Sequence, residues 1–275
     1  MQRTAWVVRR TAVIVLMGAL TLLAAAQVDA GTLEAVRARG VLIVGVREDF
    51  PPLGYLDGTG KPTGFEVDLA RYLARQMLGD EGKLRLVRVN AGDRLTAILS
   101  GSVDLLIAAV TATEDRAAVF ALSEPYFVSG TLLLVPQGSP IHGVLDAKGK
   151  RVAVLEGSIQ EGGLDPAVRE GAVVRGPIPV KFWRVAAAVA ALRAGEVDAL
   201  AEDDVLVLEL ARQYPDLAAV GKPFRPHPYA VAMAKGDGEL RAWVNEQLRQ
   251  AKADGTYDTL WNRYFGDAAT VLLRP

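Results

Sequence analysis

The sequence has no cysteine, two histidines and almost no surplus of either charge among its 275 residues. Without cysteine there is no disulfide, no thiolate zinc site, no cysteine nucleophile and no lipid-modified N-terminal cysteine. His142 and His227 stand far apart, each beside Pro or Gly in a turn-like context. Neither a histidine-rich metal site nor a serine–histidine triad is therefore expected, and no Gly-x-Ser-x-Gly elbow occurs. Lys and Arg number 31 against 32 Asp and Glu, net −1. That balance argues against a nucleic-acid partner, because phosphate recognition needs a basic face. The segment Gly58-Thr-Gly-Lys-Pro-Thr-Gly64 is only loosely like a phosphate loop. Tyr55 stands where the first glycine belongs, and Pro62 where a magnesium-binding hydroxyl does. It reads as a turn, and no cofactor or metal is expected.

Long apolar runs are scarce too. The longest, Ala12 to Ala26, is broken only by Gly18 and Thr21 and follows Arg3, Arg9 and Arg10. It is shorter than the ~20 residues a membrane span needs. Small residues follow at Val28-Asp29-Ala30. A basic start, a short apolar middle and a small-residue exit predict a signal peptide over residues 1–30 and a periplasmic product.

The rest, 51% apolar overall, has enough greasy surface for a sizeable core. Val41 to Val46 is a short continuous apolar run, the mark of a strand buried on both faces. Phe65, Leu69, Tyr72, Leu73 and Met77 recur at helical spacing. Strands are predicted at Leu84–Val89 and Val103–Val110, with a helix over Arg94–Leu99 between them. After Pro125 the pattern restarts, with strands near Leu132–Val135, Arg151–Leu155 and Val197–Ala201. Helices are predicted over Arg184–Arg193, Val205–Gln213, Glu239–Ala253 and Thr256–Phe265. Alternating strands and helices imply α/β units on mainly parallel sheets, here in two lobes. The predicted division is 31–130 with 230–275 for lobe 1, and 131–229 for lobe 2. Extended segments near Val128–Leu133 and Pro228–Met233 would cross between them as hinges.

Ligands of open α/β sheets sit beyond the carboxyl ends of the strands. At those ends the sequence places Arg47, then Thr111 to Arg116, then Glu156-Gly-Ser-Ile159, then Glu202-Asp203-Asp204. The third is read as a helix start whose free N–H groups suit an anion. Arginines facing an acid suit a zwitterion, its carboxylate on Arg116 and its ammonium on Asp203. A planar guanidinium meets both carboxylate oxygens at once.

Several ordered motifs carry a family resemblance. They are Val44-Gly-Val-Arg-Glu-Asp-Phe-Pro-Pro-Leu-Gly-Tyr55, Gly64-Phe-Glu-Val-Asp-Leu69, Thr113-Glu-Asp-Arg116, Gly195-Glu-Val-Asp-Ala199 and Asp254-Gly-Thr-Tyr257 running on to Gly266. From about Gly40 to Gly266 the chain resembles the family 3 extracellular solute-binding proteins, the periplasmic receptors of polar amino-acid ABC transporters. The resemblance implies a two-lobed periplasmic-binding-protein fold of type II and a single chain that closes on its ligand and docks on a membrane permease. It implies that Arg116, the Thr111 hydroxyl and backbone near Ala109 hold the ligand carboxylate, with Ser158 and the Ile159 amide reaching it from the second lobe. Asp203 would take the ammonium group, and Phe50 and Tyr55 would pack on the carbon chain.

Arg47 and Arg94 match positions where glutamate/aspartate receptors carry arginine. Three arginines against Asp203 leave a surplus of positive charge, which favours glutamate or aspartate, since buried guanidiniums without a counterion are costly. The alternative at the residue level pairs Arg47 with Glu48 or Asp49, and Arg94 with Asp93, on a solvated rim. Ile159 replaces a second hydroxyl, Val185 an expected histidine, and Glu202 adds a negative charge. The alternative in function is a periplasmic dehydratase for prephenate-like acids, with Glu202 as proton donor.

Overall fold

The computed structural model describes residues 33–162, 164 and 176–266; the expected leader lies outside them. After helix α1 (Leu33–Arg39), strand β1 (Leu42–Arg47) is buried along its whole length, as its unbroken apolar run demands. It lies between β5 (Leu84–Val89) and β6 (Leu105–Leu106), parallel to both. A second parallel trio is built from β10 (Ala199–Asp203), β8 (Arg151–Leu155) and β9 (Ile178–Phe182). Between the trios run two long antiparallel strands, β7 (Ala121–Pro136) and β11 (Leu217–Met233). The order β5-β1-β6-β11-β7-β10-β8-β9 makes one sheet across both lobes. The expected mainly parallel sheets thus meet at an antiparallel centre. The predicted hinge segments lie inside β7 and β11, whose pairing register breaks repeatedly between Val220 and Ala232.

A hairpin of β2 (Asp49–Phe50), β3 (Gly54–Leu56) and β4 (Pro62–Thr63) leads into helix α2 (Phe65–Leu78). The helix must begin hard against Leu53. A Cβ on Gly64 would lie 2.2 Å from the Leu53 carbonyl oxygen, and its φ of +123° suits glycine alone. The helix buries Phe65, Leu69, Leu73 and Met77 on one face, following the spacing of the sequence. Helices α5 (Val185–Arg193) and α6 (Asp204–Gln213) pack on the second trio, and the last described elements, α7 (Gly238–Ala253) and α8 (Thr256–Phe265), return to α2. Tyr72 donates from its hydroxyl to the Gln247 carbonyl at 3.2 Å, and Trp261 and Phe265 pack on Phe65 and Phe127.

Two local readings are corrected. The strand expected over Val103–Val110 pairs regularly only at β6. Beyond it Ala109 takes a φ of +51°, its N–H goes to Glu66, and the Ala108 and Ala109 carbonyls accept from Arg94. Side chains have taken the groups a ladder would use. The loop after β8 is a run of turns over residues 156–162, so within the described residues Glu156 to Ile159 do not themselves open a helix. Its amides are largely spent: Gly157 donates to the Glu161 carboxylate at 2.7 Å and Ser158 to the Leu155 carbonyl at 3.1 Å.

Candidate functional site

Both lobes turn the carboxyl ends of their parallel strands toward one cleft. The backbone of the two lobes meets there at Gly157, where a Cβ would come within 2.7 Å of the Ala91 carbonyl. The Gly157 carbonyl accepts from Arg116 Nη2 at 3.0 Å and Arg94 Nη2 at 3.4 Å. At the rim, Arg184 Nη1 donates to Glu48 Oε1 at 2.9 Å, and the Val185 N–H to Asp49 Oδ2 at 3.5 Å.

Arg47 ends β1 and is 1% exposed. Its Nε donates to Asp49 Oδ1 at 2.8 Å, and its guanidinium lies 4.9 Å from the centroid of the buried Phe50 ring. Burial pulls its pKa down, but the charges of Asp49, Glu202 and Glu66 more than offset this, so the net shift is upward. Arg47 thus has the acidic partner foreseen in the alternative reading, but its guanidinium is buried while Asp49, at the rim, stays partly exposed. The helix α3 (Arg94–Leu99) opens with Arg94, 3% exposed, whose Nη1 donates to the Ala108 and Ala109 carbonyls at 2.8 and 3.1 Å. Burial, then the neighbouring charges of Arg47 and Arg116, hold its pKa down at about 10. Arg94 contacts carbonyls rather than Asp93, and its Nε has no partner among the described residues. Arg116, in α4 (Glu114–Val119), is 9% exposed and donates from Nη1 to the Thr111 carbonyl at 3.0 Å. Its pKa too is lowered by burial, against the pull of Asp203.

Facing these arginines are the acids of β10. Glu202 is 2% exposed, and its Oε2 has no hydrogen-bond partner among the described residues. Burial and the adjacent Asp203 push its pKa well up, while Arg47 and Arg94 draw it back. Asp203 is held from three sides. Its Oδ1 accepts from Gln160 Nε2 at 2.8 Å and lies 2.8 Å from His227 Nε2, and its Oδ2 accepts from the Tyr229 hydroxyl. Burial works against the charge, but these bonds prevail and keep its carboxyl below the usual range.

Ser158 is half-buried, and its Oγ has no partner among the described residues. Ile159 is half-buried in the same turns, and Thr111 is buried and bridged to Tyr229. Tyr55 lies one strand over, its backbone opposite Asp49. The count of surplus positive charge therefore needs correction, since Asp49 neutralises Arg47.

Four residues of the cluster were not foreseen as part of the site: Glu66, Gln160, His227 and Tyr229. His227 is a buried member of β11 rather than a turn residue. Glu66 lies within the quoted Gly-Phe-Glu-Val-Asp-Leu motif, which was a signal, and binds both the Tyr126 hydroxyl and the Ala109 N–H.

The model of the bacterial extracellular solute-binding proteins, family 3, matches residues 42–267. The ABC transporter glutamine-binding protein GlnH of Bacillus subtilis (strain 168) is 31% identical over 235 residues, 85% of this chain and 84% of that protein. The L-cystine-binding protein TcyJ of Escherichia coli (strain K12) is 34% identical over 247 residues, 88% and 89% of the two chains. Among solved structures, a solute receptor for L-cysteine of Neisseria gonorrhoeae superposes with a TM-score of 0.80 at 29% identity. It covers 89% of this chain and all of its own. The fold is thus that of the two-lobed type II periplasmic binding proteins.

Proposed function

The chain belongs to the bacterial extracellular solute-binding proteins, family 3, and we propose that its cleft holds a polar α-amino acid whose side chain is an uncharged amide, glutamine in particular. Like its relatives it is the amino-acid-binding component of an ABC transporter and not an enzyme, so the dehydratase alternative is set aside. Arg116 forks the ligand carboxylate, assisted by the Thr111 hydroxyl, Ser158 and the Ile159 amide, whereas the expected part for backbone near Ala109 falls away because the Ala109 N–H is taken by Glu66 at 2.7 Å. Asp203 receives the ammonium group. Phe50 and Tyr55 shape the wall along the carbon chain.

The ion pair of Arg47 with Asp49 carries the choice of side chain. With Arg47 matched by its own acid, and Glu202 opposite, the far end of the cleft offers donors and an acceptor together. A carboxamide has an acceptor oxygen and a donor nitrogen to meet both. That the similar GlnH of Bacillus subtilis is a glutamine-binding protein supports this reading. Glutamate or aspartate is the second reading, favoured by Arg94, which bonds only carbonyl groups among the described residues.

Charge-assisted bonds contribute about 1.5–3 kcal/mol each. Four or five, less the ordering cost, suit a micromolar complex of about −8 kcal/mol. Ligand touching both lobes shifts the population toward the closed form, which docks on a permease as a single chain in the periplasm. Calorimetric titration with L-glutamine, L-glutamate, L-arginine and L-cystine tests the reading. Glutamine is expected to bind tightest. Tightest binding of glutamate establishes the second reading, and of arginine or cystine overturns both.

A further inference from the structure

His227 is fixed by two acceptors at once. Its Nδ1 lies 2.8 Å from the Arg225 carbonyl oxygen and its Nε2 2.8 Å from Asp203 Oδ1. A neutral imidazole has one N–H and one bare lone pair, so it satisfies only one of these contacts. Both are satisfied only when both ring nitrogens carry protons. The two side chains are 6% and 8% exposed, so this is an ion pair sheltered from water, where charge interactions are strong.

The same carboxylate is the proposed ammonium receptor. A carboxylate has about four lone-pair sites, and here Oδ1 takes His227 and Gln160 while Oδ2 takes Tyr229. One site is left for a ligand N–H, but the charge it needs is already shared with the imidazolium. Two cations would then crowd one buried anion.

We propose that His227 is a positioning residue for the ammonium subsite and that it gives up a proton when the ligand ammonium arrives at Asp203. The inference rests on the reading of Asp203 as the ammonium receptor. The proton leaves Nδ1 for solvent and the hydrogen bond to the Arg225 carbonyl is given up, while the neutral ring keeps its Nε2–H on Asp203, so the carboxylate stays aimed as its charge passes to the ligand. Other charged and titratable groups around the ring act in the same frame. Asp203 and Asp204 favour the protonated ring, with burial opposing them. The Tyr229 hydroxyl, on the same strand, stays protonated through burial and the Asp203 charge. Glu202 acts on Tyr229, and Arg116 on Asp203 and Tyr229, from the cleft side. From β7, Ser129 opposes His227 in register and is uncharged.

The sign follows from linkage. Ligand binding that releases a proton is favoured as pH rises, by up to tenfold in affinity per pH unit per proton. The effect spans the window between the bound and free titration points of His227, the latter raised above its ordinary value.

The test uses the tightest binder of the four-member panel, titrated from pH 5.5 to 8 in buffers of different ionisation enthalpy, which counts protons directly. Wild-type protein is expected to release a fraction of a proton, up to one, and to bind several-fold tighter per unit of rising pH. His227→Gln keeps a donor for Asp203 without the charge, and is expected to bind with no proton release and a flat profile. Asp203→Asn is expected to lose at least a hundredfold in affinity. Loss of affinity in Asp203→Asn without proton release by wild-type protein overturns the role of His227 alone, as does a His227→Gln profile as steep as wild type. Unchanged affinity in Asp203→Asn, or no binding of any panel member by wild-type protein, overturns the ammonium reading and this inference with it. The wild-type proton count needs no variant to fold.

Discussion

Two arginine clusters lie on the first lobe, and they are built on opposite principles. On the outer face Arg71, Arg75 and Arg263 have side chains 39%, 60% and 58% exposed. Each of them touches a carboxylate. Arg71 and Arg263 share Asp68 at 2.5 and 2.7 Å, and Arg75 meets Glu81. In the cleft Arg47, Arg94 and Arg116 are at most 9% exposed, and among the described residues only Arg47 has an acid in contact. Arg94 and Arg116 lean on carbonyl groups instead. The exposed cluster spends its charge on local acids in high dielectric, where pairs are worth about 0–1 kcal/mol. The cleft cluster keeps desolvated charge facing neutral dipoles, an arrangement that is costly unless an anion joins it. The same residue type is structural filling in one place and an unfinished binding site in the other.

The most severe way to break this contrast is Arg116→Ala. If the guanidinium is the carboxylate clamp, removing two charge-assisted bonds of about 1.5 kcal/mol or more each lowers affinity at least a hundredfold. Stability stays within about 1 kcal/mol, because the group lost is a buried charge resting on carbonyls. Titration calorimetry and thermal denaturation on one sample read both. A variant that still binds ligand places Arg116 with the outer cluster, and one that unfolds makes its role structural.

The support beneath the cleft gives the next largest effect. Glu66 is fully buried at the start of α2, and its Oε1 accepts from both the Ala109 N–H and the Tyr126 hydroxyl. Burial raises its pKa, while Tyr126, Ala109 and the charges of Arg47 and Arg94 act against that rise. Glu66→Ala leaves two buried donors unmet, at about 1–3 kcal/mol each, so a loss of roughly 2–4 kcal/mol in denaturant unfolding is expected. Glu66→Gln keeps an acceptor oxygen and loses less. Equal losses in both variants would mean that the carboxylate charge, rather than the hydrogen bonds, secures Ala109 beneath Arg94.

These two residues also mark where the sequence was and was not readable. Strands β1, β5 and β8 and helices α2 and α8 follow apolar runs and helical spacing, which are local signals. Arg116 and Asp203 were legible because they stand at strand ends, where topology alone gathers side chains. Glu66 was marked only by the motif around it and not by its role, since a carboxylate beside the first apolar residue of a helix reads as a solvent-facing group favoured by the helix dipole. It is buried because Ala109 and Tyr126 come to it from 43 and 60 positions away. His227, flanked by Pro226 and Pro228, reads as a turn for the same reason. Its place is decided by Asp203, 24 positions earlier, and by pairing in the long β11 strand. The neutralisation of Arg47 by Asp49 was open in the sequence as one of two choices, and burial decided it.

The smallest effect is expected on the outer face. Arg75→Ala removes a pair whose two side chains are 60% and 52% exposed, so stability should move by no more than about 0.5 kcal/mol. That small difference should shrink further at 1 M salt, where screening acts over about 3 Å. Ligand affinity should not change, because Arg75 stands on the outer face of α2, where the chain meets α8 rather than the second lobe. The variant is therefore the control that gives Arg116→Ala its meaning. Were Arg75→Ala to weaken binding as strongly, the distinction between paired surface arginines and under-compensated cleft arginines would fail, and with it the argument that incomplete neutralisation locates the ligand carboxylate.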